Sequence, residues 1–213
     1  MNIASMDQRS AEWFQARLGK ATASKITDIV ARTKTGWGAS RANYAAQLVA
    51  ERLTGVPTEG FTSSAMQWGI DTEEEARRAY SFFRDTDVTE CGFADHPTIG
   101  MSGASPDGLV GADGLLELKC PQTATHIATL QGGTVPTKYI HQIQWQIACT
   151  GRQWCDFASY DPRLPESMRL FVKRVDRHEA AISELEAQVI EFLAEVDATV
   201  ANLRRLYETR EAA

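Results

Sequence analysis

The chain lacks a Cys-x-x-Cys pair. Its four cysteines (Cys91, Cys120, Cys149 and Cys155) are scattered, and its histidines (His96, His126, His141 and His178) do not cluster with them. A zinc site is therefore not expected, and reduced, mostly buried thiols in a cytosol are. No apolar run approaches the ~18 residues of a membrane span. The first residues, "MNIASMDQRSAEWF", show no basic segment followed by an apolar core, so a signal peptide is not expected either. There is no Pro/Ser/Gly-rich linker, no internal repeat and no low-complexity tract in the 213 residues, which points to one domain over residues 1–213. A net charge of −6 argues against a general nucleic-acid coat protein. It does not argue against a nuclease, in which metal ions neutralise an acidic cluster and basic residues gather in one groove.

What is present divides by period. Helical spacing dominates the first part. Ser10 is placed to cap a short helix with Trp13, Phe14 and Leu18 on one face, closed by Gly19. Thr22 is placed to cap a second, with Ile26, Ile29 and Val30 inward. A third runs from about Arg41 to Leu53, and a fourth from about Ser64 to Phe83 with Ala65, Trp68, Ala76, Tyr80 and Phe83 along it. Residues 87–94, 99–103, 108–111 and 115–120 then read as short strands joined by turns such as "PDG" and "ADG". Helical spacing returns over Thr137–Thr150, and strands are expected at 153–160 and 168–175. A long helix over about 176–207 closes the chain, with Asp176 and Glu179 as a capping box and a stripe from Ile182 to Leu203. This order predicts an α/β (α+β) fold, a mixed central sheet flanked by helices.

The stretch "SPDGLVGADGLLELKCP", Ser105–Pro121, carries the chemistry. Residues two apart on a strand share a face, so Glu117 and Lys119 point one way and Leu116, Leu118 and Cys120 the other. Pairing across the "GADG" turn brings Asp107 beside Glu117. Two adjacent carboxylates repel unless a cation lies between them, and oxygen ligands suit Mg²⁺ or Mn²⁺. A metal flanked by a lysine suits attack of water on a phosphodiester. A bare D-x₉-E-x-K also fits a half-exposed strand behind a common Asp-Gly turn, so this segment alone leaves both readings open.

The wider sequence resembles the phage lambda exonuclease / YqaJ-type viral recombinase family of the PD-(D/E)XK nuclease superfamily. "SPDGL…GLLELKCP" resembles its active-site segment. "RLGKATAS" (Arg17–Ser24), "WGIDTEEEAR" (Trp68–Arg77), "YIHQIQWQIACTG" (Tyr139–Gly151) and "ASYDPR" (Ala158–Arg163) follow in the family's order. The resemblance implies a restriction-endonuclease-like core. It implies metal ligation by Asp107, Glu117 and the backbone carbonyl of Leu118, with two Mg²⁺ ions and Mn²⁺ as a substitute. Lys119 would position the attacking water, Glu73 would act on the second ion through water, and Gln142 would sit by the nucleophile or scissile phosphate. Arg17, Ser24 and Ser105 would hold a terminal 5′-phosphate, for which a guanidinium fork and a nearby helix N-terminus are suited. Met66 would be an apolar wedge that splits the terminal base pair, although a methionine at helical spacing is more often a core residue.

The implied activity is a 5′→3′ exonuclease on double-stranded DNA ends that leaves a 3′ tail. The implied assembly is a homotrimeric ring, and the implied partner a phage single-strand annealing protein, in the cytoplasm of a bacterial host. The alternatives are an endonuclease on the same core, a non-catalytic DNA-end-binding protein and a structural phage protein. Basic residues Arg32, Lys34 and Arg41 surround "TGWG", leaving Trp37 either a loop anchor or a base-stacking contact. Ala124 and Thr125 replace polar and basic residues of the family, which puts one DNA contact in doubt.

Overall fold

The computed structural model describes residues 6–58 and 63–208. The residues at 1–5, 59–62 and 209–213 of the expected domain lie outside it. The N-terminal part contains α1 (Ala11–Arg17), β1 (Ala21–Thr22), α2 (Ile26–Ile29), the small hairpin β2 (Arg32–Thr33) and β3 (Gly36–Trp37), and α3 (Ala39–Thr54). Then come α4 (Ser64–Arg84), β4 (Val88–Thr89), β5 (Ala94–Asp95), β6 (Ser102–Ala104), β7 (Gly108–Val110) and β8 (Gly114–Lys119). The C-terminal part is α5 (Thr123–Gly132), α6 (Thr137–Thr150), β9 (Trp154–Tyr160), β10 (Leu170–Asp176) and α7 (Glu179–Tyr207).

Five strands form the main sheet in the order β10-β9-β8-β7-β4. β8 runs parallel to β9 and the other pairings are antiparallel, so the sheet is mixed as expected. β8 lies in the middle with both faces covered, which is why its sequence is apolar on both sides. Leu116, Leu118 and Cys120 pack with Ala76 and Tyr80 of α4, while Leu115 packs with Ile143 and Ile147 of α6. Glu117 and Lys119 share the face of Leu115, so the polar pair looks toward α6. A second core joins α2, α3 and α6 to the stripe Leu185, Val189, Phe192, Val196 and Val200 of α7. Among the described residues no helix is long and apolar enough to cross a membrane.

Several expectations need correction. Asp176 ends β10 and does not cap α7; His178 does, its ring accepting from the Ala181 N–H at 3.1 Å. Thr22 precedes a 3-10 turn, Ala23–Lys25, but its side chain makes no capping bond. The segment 87–94 is two strands that join different sheets, β4 pairing with β7 and β5 with β6. Phe83 points out, 63% exposed, because α4 buries the line Thr72, Ala76, Tyr80 instead. Helix α5 carries no apolar stripe; its buried residues are His126 and Thr129. His126 is held by Ser159 at 2.7 Å and the carbonyl of Met168 at 2.9 Å.

The loop after β9 is tied by charge to the segment that follows β8. Arg163 forks onto Asp161 at 2.7 and 2.9 Å and also donates to the carbonyl of Pro121 at 3.2 Å. Burial works to raise the Asp161 carboxyl, but the hydrogen bonds from Arg163 and Thr123 outweigh it and hold it at about 2. A carboxylate depressed in this way contributes stability that is complete above its unfolded pKa and lost as pH falls through its folded one.

Two outcomes follow. Asp161→Asn is expected to cost about 1–2 kcal/mol near neutrality, reduced by the solvent exposure of Arg163, with the gap to wild type closing between pH about 4 and about 2 in urea unfolding. At Gly103 a Cβ would lie 2.4 Å from the Phe93 ring and 2.5 Å from the carbonyl oxygen of Ala94. Gly103→Ala is expected to lower stability by about 1–3 kcal/mol in the same assay, whereas Gly100→Ala, with open space around it, changes stability little.

Candidate active site

Asp107 is stapled to β8 by its own backbone and side chain. Its N–H donates to the carbonyl of Leu116 at 3.1 Å, and its Oδ2 accepts from the N–H of Leu118 at 2.7 Å. Upstream, Gln8 donates to the carbonyls of Pro106 at 2.8 Å and Cys91 at 3.0 Å, fixing the turn that presents Asp107. The strand pairing therefore places Asp107 beside Glu117, as the sequence predicts.

Glu117 is fully enclosed, and its carboxylate is met by three side chains. Oε1 accepts from the ammonium of Lys119 and from Gln142 at 2.6 Å. Oε2 accepts from Gln146 at 2.6 Å. Gln142 and Gln146 lie four residues apart on α6 and so share one face. Burial, the neighbouring Glu117 charge and, more weakly, Glu73 push the Asp107 carboxyl well above the usual range; Lys119 and the Leu118 N–H only partly offset them. Burial works to lower Lys119, but Glu117 and Asp107 outweigh it and hold its ammonium above the ordinary value. Burial and the adjacent Glu117 thus disfavour the Asp107 carboxylate more than the protein's own groups offset.

That imbalance fits a cation. Among the described residues no three His, Cys, Asp or Glu side chains gather as a metal-binding group. Two carboxylates with a backbone carbonyl nonetheless suit Mg²⁺, which keeps several waters and takes one or two protein carboxylates plus substrate phosphate. Glu73 stands outside this pair. It is held by Arg9 at 2.5 Å and Arg77 at 3.0 Å.

The second cluster surrounds Arg17. Its Nη1 donates to Ser105 Oγ at 3.3 Å, and its guanidinium stacks on Trp13 at 4.0 Å. Trp13 Nε1 reaches the same hydroxyl at 2.9 Å. Among the described residues Arg17 has no carboxylate within salt-bridge distance, and burial lowers its pKa to about 10, against the opposing pull of Tyr44 and Glu51. A cation kept in this state attracts an anion strongly. A cavity of about 210 Å³ opens here, lined by Arg17, Ser24, Lys20, Lys25 and Trp13. Arg17 bonds Ser105 and shares the cavity with Ser24, and Ser24 lies in the 3-10 turn that leads directly into α2, near its N-terminus as expected.

The remaining candidates separate. Met66 is 57% exposed in the first turn of α4, so it is not a core residue. Trp37 has Arg32 on its ring at 3.8 Å and Arg41 at 4.0 Å, contacts that favour its role as an anchor for the hairpin. The sequence reading missed Gln146, Gln8 and Arg9. Gln146 was visible as the residue one turn after Gln142, but only the register of α6 against β8 shows what it touches.

This fold is that of the PD-(D/E)XK nuclease superfamily. The chain belongs to the family described as the YqaJ-like viral recombinase domain, whose profile matches residues 12–153. It is similar to the alkaline exonuclease LHK-Exo from Laribacter hongkongensis, at 50% identity and a TM-score of 0.88, over 96% of this chain and 100% of that one. The same figures hold for LHK-Exo in complex with dAMP. A phage-related exonuclease from Haemophilus somnus 129PT shares the fold at 14% identity, with a TM-score of 0.68 over 86% of this chain and 96% of that one. No curated protein sequence matches the chain.

Proposed function

We propose that the chain is a Mg²⁺-dependent 5′→3′ exonuclease that digests one strand of linear double-stranded DNA from a 5′-phosphorylated end. The observation that carries this reading is the placement of Arg17. It is a half-buried cation with no carboxylate within salt-bridge distance among the described residues, bonded to Ser105, and Ser105 lies two residues before Asp107. An anion pocket joined so closely to a two-carboxylate site suits a substrate whose 5′-phosphate is held while the next phosphodiester is cut. The complex of LHK-Exo with dAMP, a nucleoside monophosphate, is consistent with such a product.

Asp107, Glu117 and the carbonyl of Leu118 would hold the ion. When bound, it polarises the phosphoryl oxygen and acidifies an attacking water. Lys119, kept protonated by Glu117 and Asp107, orients that water or stabilises charge developing on the phosphate. Gln142, donating at the half-buried mouth, stands by the nucleophile. Glu73 is close enough to raise Asp107 and would help to hold a second ion. Arg17, Ser24 and Ser105 grip the 5′-phosphate, and the exposed Met66 serves as the wedge at the terminal base pair. Mononucleotides leave, and the remaining 3′ tail is the substrate for a phage single-strand annealing protein. A homotrimeric ring around the duplex would keep the enzyme on its track. Ring, partner and bacterial cytoplasm rest on family membership.

Lys119→Ala is expected to reduce mononucleotide release by at least about 100-fold while sparing binding of duplex ends, measured by acid-soluble label and by gel shift. Turnover near wild type in that variant defeats the site assignment. Arg17→Ala is expected to lose at least about tenfold more activity on 5′-phosphorylated than on 5′-hydroxyl ends, since the bond lost is charge-assisted. Equal losses on both ends remove the phosphate-clamp role.

A further inference from the structure

We propose that Gln146 is a positioning residue for the metal ligand Glu117, fixing which carboxylate oxygen faces the cation. This inference rests on the nuclease reading and on Glu117 as a ligand. Glu117 is fully enclosed, so bulk water satisfies neither of its oxygens. The two oxygens meet different surroundings. Oε1 faces Lys119 and Gln142, both half-buried as Asp107 is. Oε2 faces Gln146, which is fully enclosed. Donors at the mouth can swing aside for a cation, whereas Gln146 is packed in the core and cannot.

The cost of this arrangement is visible in Gln146 itself. Its Nε2 donates to Glu117, and its own Oε1 is buried with no hydrogen-bond partner. Turning the amide over would set its oxygen against the carboxylate, so the observed orientation is the one that electrostatics allows. Its helix neighbours Ile143 and Ile147 are fully buried apolar residues, and an apolar side chain at 146 would fill the same space without an orphaned carbonyl. The retained amide holds Oε2 from the interior side. The carboxylate plane is thereby set, and Oε1 alone is offered to a cation shared with Asp107. Partners of this kind behind a ligand commonly change metal affinity or activity by about 10–100-fold when removed.

The test is Mn²⁺ binding by titration calorimetry without DNA, run on wild type, Gln146→Met, Glu117→Ala and Ile147→Val. Ile147→Val lies on the same helix and reports the effect of lost packing alone. Gln146→Met is expected to bind Mn²⁺ about 10–100-fold more weakly than wild type, with kcat reduced and KM for duplex DNA changed less than about twofold. Ile147→Val is expected to bind Mn²⁺ as wild type does. If Glu117→Ala abolishes binding while Gln146→Met retains wild-type affinity, the positioning role is overturned and the metal site stands. If Gln146→Met weakens binding no more than Ile147→Val does, the role is structural and the proposal fails. If Glu117→Ala binds as wild type does, the metal-site reading itself is wrong and this inference falls with it.

Discussion

A carboxylate at the centre of the sheet is the constraint around which the rest is arranged. Glu117 lies on the middle strand with no solvent contact. A buried ionised group is costly unless it is paired and hydrogen-bonded. The chain meets that demand from two elements: Lys119 from the same strand, Gln142 and Gln146 from α6. These contacts fix the register between helix and sheet, because a slip of one residue would turn both glutamines away. Asp107, stapled by its two bonds to β8, then adds a second negative charge that the protein leaves only partly compensated.

The same economy governs the anion pocket. The chain is acidic overall, at −6, yet Arg17, Lys20 and Lys25 converge on one cavity. Arg17 contacts Trp13 and Ser105, and the nearest carboxylate influence, Glu51, acts without an ion pair, so its charge is available to a ligand. Local arrangement thus decides what net charge does not. The two clusters meet in a single segment: Ser105 serves the cation and Asp107 the carboxylate pair, with Pro106 between them pinned by Gln8.

How much of this was legible in the sequence differs from element to element. Strand β8 was legible because alternation inside "LLELK" assigns each side chain to a face, and the structure keeps that assignment. Helices α6 and α7 were legible from period and, for α7, from a long apolar stripe. Helix α5 was not, since "TATHIATLQG" buries a histidine and a threonine and offers no apolar face. The start of α7 was misjudged because local pattern matching favoured a carboxylate cap, while Asp176 was already committed to pairing with Trp154 in the sheet. At the site, the placement of Asp107, Glu117 and Lys119 follows from strand geometry, while their reading as a catalytic set came with the family resemblance. Gln146 and Arg9 do not follow from that geometry, because their partners lie 29 and 64 residues away in the chain.

On the proposed function, the site needs a chain end to feed it and a cation to complete it. The most direct test is to supply the protein, with Mg²⁺, with one duplex plasmid in two forms: covalently closed, and linearised by a single cut that leaves 5′-phosphates. The account predicts mononucleotides from the linear form and an intact closed circle. Nicking or cleavage of the closed circle would contradict it and would assign the same carboxylates and lysine to an endonuclease.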